Sequence, residues 1–164
     1  MTKSGATDLE KWATIVASSL TWEQAHASLD HAVEGLAPAL HGKRPADFPH
    51  SAWELLDHIR RTQRDLLEFC ANPKYHEPKW PDDYWHGSPE PPSDKAWLEC
   101  VSAIRADAQA LADFTIKNAA TLTEKIPHGT DQTYLRTILV AVDHASYHVG
   151  QIIAVRRLLG AWPS

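Results

Sequence analysis

Two cysteines, one methionine and seven glycines in 164 residues set the first limits on this chain. Cys70 and Cys100 can close one disulfide at most. Neither belongs to a Cys-x-x-Cys pair and both sit among apolar, helix-forming residues, so two reduced, buried thiols in a cytoplasmic protein are expected. The few glycines form no Gly-x-Gly-x-x-Gly, Gly-x-x-x-x-Gly-Lys or Gly-x-Ser-x-Gly, which removes the usual phosphate-cradling loops and the hydrolase nucleophile elbow. No run reaches the roughly 18 uncharged apolar residues of a membrane span, and residues 1–10 lack the basic-then-apolar order of an export signal. Positive charge is also short, with 16 Lys plus Arg against 21 Asp plus Glu and a net charge of −5 with His neutral. A basic face would have to be local, so nucleic acid is not an expected partner. The length fits a single domain, residues 1–164.

What is plentiful is histidine, ten residues, alongside seven tryptophans. Any metal held by this chain is therefore expected on imidazole. Nine of the eleven prolines fall in two clusters, 38–49 and 73–92, and helical patterns fill the intervals. Residues 6–19 read as a short amphipathic helix. Thr21-Trp-Glu-Gln24 and Ser51-Ala-Trp-Glu54 both have the capping-box pattern, opening helices to about Leu36 and Ala71. Ser93 caps a further helix to about Asn118, and the last helix starts near 131–133 and ends at Gly160. No segment alternates like a strand. The expected fold is all-α, a four-helix bundle plus a short N-terminal helix, with residues 1–20 as an extension. Residues 72–92 form a long loop whose Trp80, Tyr84 and Trp85 imply that it packs on the bundle.

His144 and His148 are four residues apart, about 40° apart on one helix face and a turn along its axis. With Ala141 as origin, Ile138, Ala145, Val149, Ile152 and Leu159 define the core arc. His148 lies inside it, His144 lies on its flank, and Asp143 and Arg157 point away. Two imidazoles leaning toward a core need partners, and a shared metal is one way to supply them. His58 lies at the edge of the stripe Leu55, Ile59, Thr62, Leu66 and Phe69, so it can project toward a neighbouring helix. Together the three offer neutral nitrogen ligands with positions left for water or substrate, which is the composition of a catalytic rather than a closed structural site. Of the others, His26 shares a face with Leu29, Val33 and Leu36 and is expected in the core, and His31 is expected in solvent. His41, His50, His76, His86 and His128 fall in or beside loops, where surface positions are the default, although His128 could close over a site. Gln151, one turn past His148, suits either a hydrogen bond to that ring or a helix contact. No residue declares itself a general base.

Ser51-Ala-Trp-Glu-Leu-Leu-Asp-His58, then Asp143-His-Ala-Ser-Tyr-His148-Val-Gly-Gln151 and Arg156-Arg157-Leu-Leu-Gly160, resemble the DinB-like superfamily of metal-binding bundles, over about residues 22–162. Trp80–Trp85 and Pro127–Thr133 resemble one uncharacterised branch of it. The resemblance implies an up-down-down-up bundle with the long loop as crossover, frequent homodimerisation, and a divalent metal on His58, His144 and His148. Zinc, nickel, iron and manganese are the candidate ions. Some relatives use a low-molecular-weight thiol cosubstrate as S-transferases or isomerases, and many have no established activity. The function expected is a metal-dependent enzyme of the thiol S-transferase or hydrolase type acting on a small molecule in the cytoplasm. The alternative is a non-enzymatic, metal-binding dimeric module. A DNA-directed role is disfavoured by the acidic balance.

Overall fold

The computed structural model describes residues 4–21, 25–85 and 87–163, the side chains of residues 4–7 excepted. It contains α1 (Ser4–Thr21), α2 (Leu29–Val33), α3 (Ala52–Ala71), α4 (Asp94–Lys117) and α5 (Tyr134–Leu158), and no strand among the described residues. Single-residue caps explain most boundaries. The Ser51 hydroxyl accepts from the Glu54 N–H while the Glu54 carboxylate accepts from the Ser51 N–H, so both halves of the expected capping box form at the start of α3. Ser93 and Thr133 cap α4 and α5 in the same sense, through the N–H groups of Ala96 and Arg136. Gly160, at φ +68°, ends the last turn of α5, as its position past the apolar pattern implies.

The four long helices are α1, α3, α4 and α5, and the N-terminal part of the expectation changes accordingly. The predicted helix from Thr21 to Leu36 is reduced to α2, capped by Ser28 and closed before Gly35 at φ +67°. Thr21 instead ends α1, and Trp22, Glu23 and Gln24 of the proposed capping box lie outside the described residues. The segment read as an extension is thus a full bundle helix. Its small residues Ala13 and Ala17 are buried, which allows close approach to its neighbours.

α1 packs against α4, α4 against α3, and α3 against α5. Pairings along the helices give their directions. Trp53 meets Trp97, the Gln63 amide donates to the Ile104 carbonyl at 2.7 Å, and Arg64 pairs with Asp107 at 2.6 Å, so α3 and α4 run the same way. Ile59 clusters with Val149 and Ile152, whereas Cys70, near the other end of α3, clusters with Ile138, so α5 runs opposite to α3. Ala13 joins Leu122 and Ile138 while Leu20 joins Leu111 and Ala141, which sets α1 antiparallel to α4. The order is up-down-down-up, with residues 72–93 crossing over between the two parallel helices.

α5 is long and apolar enough by length and composition to cross a membrane. In the bundle its Ile138, Ala141, Val149, Ile152 and Val155 are buried against the other elements. Arg156, also buried, donates to the Ala32 and Ala161 carbonyls and so ties α2 and the C-terminal turn to α5. Cys70 and Cys100 are free and buried, as expected.

The crossover loop is fastened at several points, which is why it can carry part of a site. Asp65 on α3 accepts from the Tyr75 and Tyr84 hydroxyls at 2.7 and 2.8 Å. Arg61 donates to the Asp83 carbonyl and the Ser51 hydroxyl to that of Pro89. Gly42 lies under the same loop, where a Cβ would stand 2.7 Å from the Cα of Glu90. Trp85 packs inward and Trp80 is exposed.

Candidate metal centre

His58 projects from α3, and His144 and His148 from successive turns of α5, into the seam where these antiparallel helices meet. One ring nitrogen from each lies within 4.8 Å of the others. Nitrogens about 2 Å from a common ion in tetrahedral geometry stand somewhat over 3 Å apart. The His144 and His58 Nε2 atoms are already at 3.0 Å. His58 and His148 are buried and His144 is half-buried.

The outer nitrogens determine which inner ones are bare. His58 Nδ1 is 2.9 Å from the Tyr84 carbonyl, which can only accept, so Nδ1 carries the proton and the neutral ring presents a lone pair at Nε2. His148 Nδ1 is 2.7 Å from Gln151 Oε1, and the Gln151 amide nitrogen donates to the Tyr147 hydroxyl at 3.1 Å. An amide oxygen can only accept, so in this arrangement His148 Nδ1 carries the proton and His148 Nε2 is bare as well. Two of the three rings are thus locked in the tautomer that a metal ligand requires by partners outside the cluster. His144 has Nε2 on the same point and can serve either as donor to His58 or as a third lone pair.

Burial keeps the cluster unprotonated. It is the largest influence on each ring, lowering His144 to about 3 with the charges of His148 and His58 adding to it. It lowers His148 to about 4 against the opposing Gln151 hydrogen bond, and it lowers His58 against the opposing Tyr84 bond. Three imidazoles sharing one buried space cannot all charge without repulsion. The neutral donor set, its fixed tautomers and its close spacing fit a divalent ion. Among the described residues no cysteine, aspartate or glutamate joins the group. The neighbouring carboxylates are engaged elsewhere: Asp57 with Arg60 and Arg61, Asp65 with two tyrosines, Glu54 with Arg44.

Trp85 walls one side. Its indole stacks on His58 at 3.9 Å between centroids and 7° between planes, and on its other face it meets His50 at 4.4 Å and 15°. The sequence marks Trp85 as a residue that packs its loop on the bundle but gives His50 only a place beside a loop, and the Tyr84 carbonyl, a backbone atom, has no sequence signature at all. The aromatic cluster Trp80–Trp85 was the only available signal for the first. Elsewhere two expectations are corrected. His26 is exposed rather than in the core, with Nδ1 turned to the Ala27 carbonyl. His41 is buried rather than on the surface, stacked on Trp97 at 3.7 Å with Nε2 on the Leu36 carbonyl. His128 bonds the Phe69 carbonyl near the far end of α3 and does not cover the cluster. His31 and His76 are exposed, and His86 lies outside the described residues. A cavity of about 350 Å³ between the helices is lined by Leu20, Ile59, Ile104, Ala141 and Val149, and none of the three imidazoles lines it.

An up-down-down-up helical bundle with a histidine cluster able to hold a metal ion defines the class. Residues 21–152 match the family model of the DinB superfamily, and the chain belongs to that superfamily. No curated protein and no solved structure matches it.

Proposed function

We propose that this protein binds a divalent metal ion on His58, His144 and His148 and uses it in a reaction on a small molecule, of the thiol S-transferase or hydrolase type. The observation that carries this reading is the pair of locked tautomers, His58 by Tyr84 and His148 by Gln151, which aim bare nitrogens at one point. A doubly charged ion on three neutral ligands supplies Lewis acidity that favours deprotonation of a thiol or water. The chain's own residues orient and shield. Tyr84 and Gln151 hold the two rings, and Trp85 excludes water from one face of His58. With no fourth protein ligand among the described residues, room remains for an exogenous group. The same reading includes a cytoplasmic location, in keeping with the two free thiols, and a homodimer.

A second reading, a metal-binding dimeric module without catalysis, draws on the exposed apolar residues Leu9, Trp12 and Ile15, which lie along α1. Coordination separates the two, because exchangeable water on the ion favours chemistry and a closed shell favours the module. The primary test is elemental analysis of protein purified without immobilised-metal chromatography, beside His148→Ala. Stoichiometric metal in the native chain and its loss in the variant are expected. A metal-free native protein defeats the site, and unchanged metal in the variant defeats the ligand assignment. A panel of thiols with electrophilic acceptors then tests for turnover.

A further inference from the structure

Among the aromatic side chains around the histidine cluster, Tyr147 alone combines an open ring with a hydroxyl proton to give. Both faces of Trp85 are covered, by His58 and His50. The Tyr75 and Tyr84 hydroxyls are spent on Asp65. Tyr147 is 63% exposed although it adjoins the buried His148, which it meets edge-on at 4.9 Å between ring centroids. Its oxygen accepts from the Gln151 amide, so the phenol is held in place while its own O–H donates to nothing among the described residues. A tethered donor at the rim of a buried site is suited to reading a ligand.

We infer that Tyr147 is a specificity-determining residue, and that the molecule it selects carries an acceptor oxygen, a carboxylate or carbonyl, beyond the atom that meets the ion. This rests on the metal-site reading above. Such a molecule lies against the Tyr147 ring and takes the phenolic hydrogen bond. A molecule with the same metal-binding atom and no acceptor oxygen gains only the contact with the ring. Because Gln151 links Tyr147 to His148, the alternative is that Tyr147 acts only by positioning that ligand ring, and the test must separate the two.

The test uses the full chain loaded with cobalt(II), whose absorption spectrum reports ligands at the ion. Mercaptoacetate and ethanethiol are titrated into native protein, Tyr147→Phe and Tyr147→Leu. Native protein is expected to prefer mercaptoacetate. Tyr147→Phe should lower the preference for mercaptoacetate over ethanethiol by about tenfold, the size of one hydrogen bond to a charged acceptor in a partly exposed place, a ratio that a change in cobalt affinity alone does not move. Tyr147→Leu should weaken both probes. An equal preference in native protein and Tyr147→Phe overturns the inference. So does a loss of cobalt affinity in Tyr147→Phe that weakens both probes alike, since Tyr147 would then be a positioning residue only. Cobalt uptake without any probe response in the native chain defeats this inference and leaves the metal reading standing, whereas failure to take up cobalt defeats both.

Discussion

A buried imidazole has two nitrogens, and what the outer one touches decides what the inner one can do. Gln151 is therefore the residue whose replacement tests the centre most finely. Gln151→Leu removes the acceptor from His148 Nδ1 and is expected to weaken metal binding by about 10- to 100-fold without unfolding the chain. Gln151→Glu keeps an acceptor and should retain most of the affinity. Competition against a chromophoric chelator measures both, and equal loss in the two variants would show that the carboxamide does not orient His148. Spacing and apolar placement make His144, His148 and His58 candidates, because a four-residue interval and the edge of an apolar stripe are properties of one helix at a time, and the family resemblance adds the shared metal. His41 and His50 were illegible for the opposite reason. Their surroundings are made by Trp97 and Trp85, which are distant in sequence, and no local pattern says that a histidine beside a proline cluster will find an indole.

At the scale of the element, the start of α3 matters most, since it sets the register of His58 and also anchors the crossover loop through Ser51. Burial pushes the Glu54 carboxyl up, but the bonds from Arg44 and from the Ser51 N–H outweigh it and hold the group below the usual carboxylate range. A carboxylate whose folded pKa lies below its unfolded one contributes stability above the unfolded pKa and loses it as pH falls through the folded value. Glu54→Gln keeps the shape and removes the titration. The variant is expected to melt lower than native protein at pH about 7, with a smaller further drop between pH about 5 and about 3. Parallel acid-limb profiles for the two proteins would show that Glu54 does not carry this dependence. The capping box was readable because four adjacent residues contain the whole device. α2 was not, since the apolar period from Trp22 to Leu36 suits a longer helix, while the actual element begins at the Ser28 cap and stops before Gly35.

At the scale of the whole molecule, the metal site and the fold are one equilibrium. His58 and the His144–His148 pair come from α3 and α5, so an ion held by all three binds the folded chain and not the unfolded one. At a metal concentration about 1,000 times the dissociation constant this adds about 4 kcal/mol, roughly 10 °C in melting temperature for a domain of this size. Scanning calorimetry with zinc or nickel and then with excess chelator should show that rise and its reversal, and identical traces would argue against a site bridging the two helices.

The same view bears on α1, which lies wholly ahead of the family match apart from Thr21, its last residue. Were it an appendage, its removal would cost little. Its Ala13, Val16 and Leu20 cluster with Leu111, Leu122, Ile126 and Ile138, all four of them buried, and Ala17 is buried too. Full burial of a large aliphatic side chain is worth about 1.5–3 kcal/mol, so even partial uncovering of four of them approaches the roughly 5–15 kcal/mol that holds a domain together. Deleting residues 1–20 is therefore expected to abolish cooperative unfolding and, with it, stoichiometric metal binding, although His58, His144 and His148 all lie outside the deleted segment. Circular dichroism melts and metal analysis of the truncated chain decide the matter. Retained cooperative unfolding at a similar temperature would mean that α3, α4 and α5 close a core without α1, and that the bundle's fourth helix is dispensable.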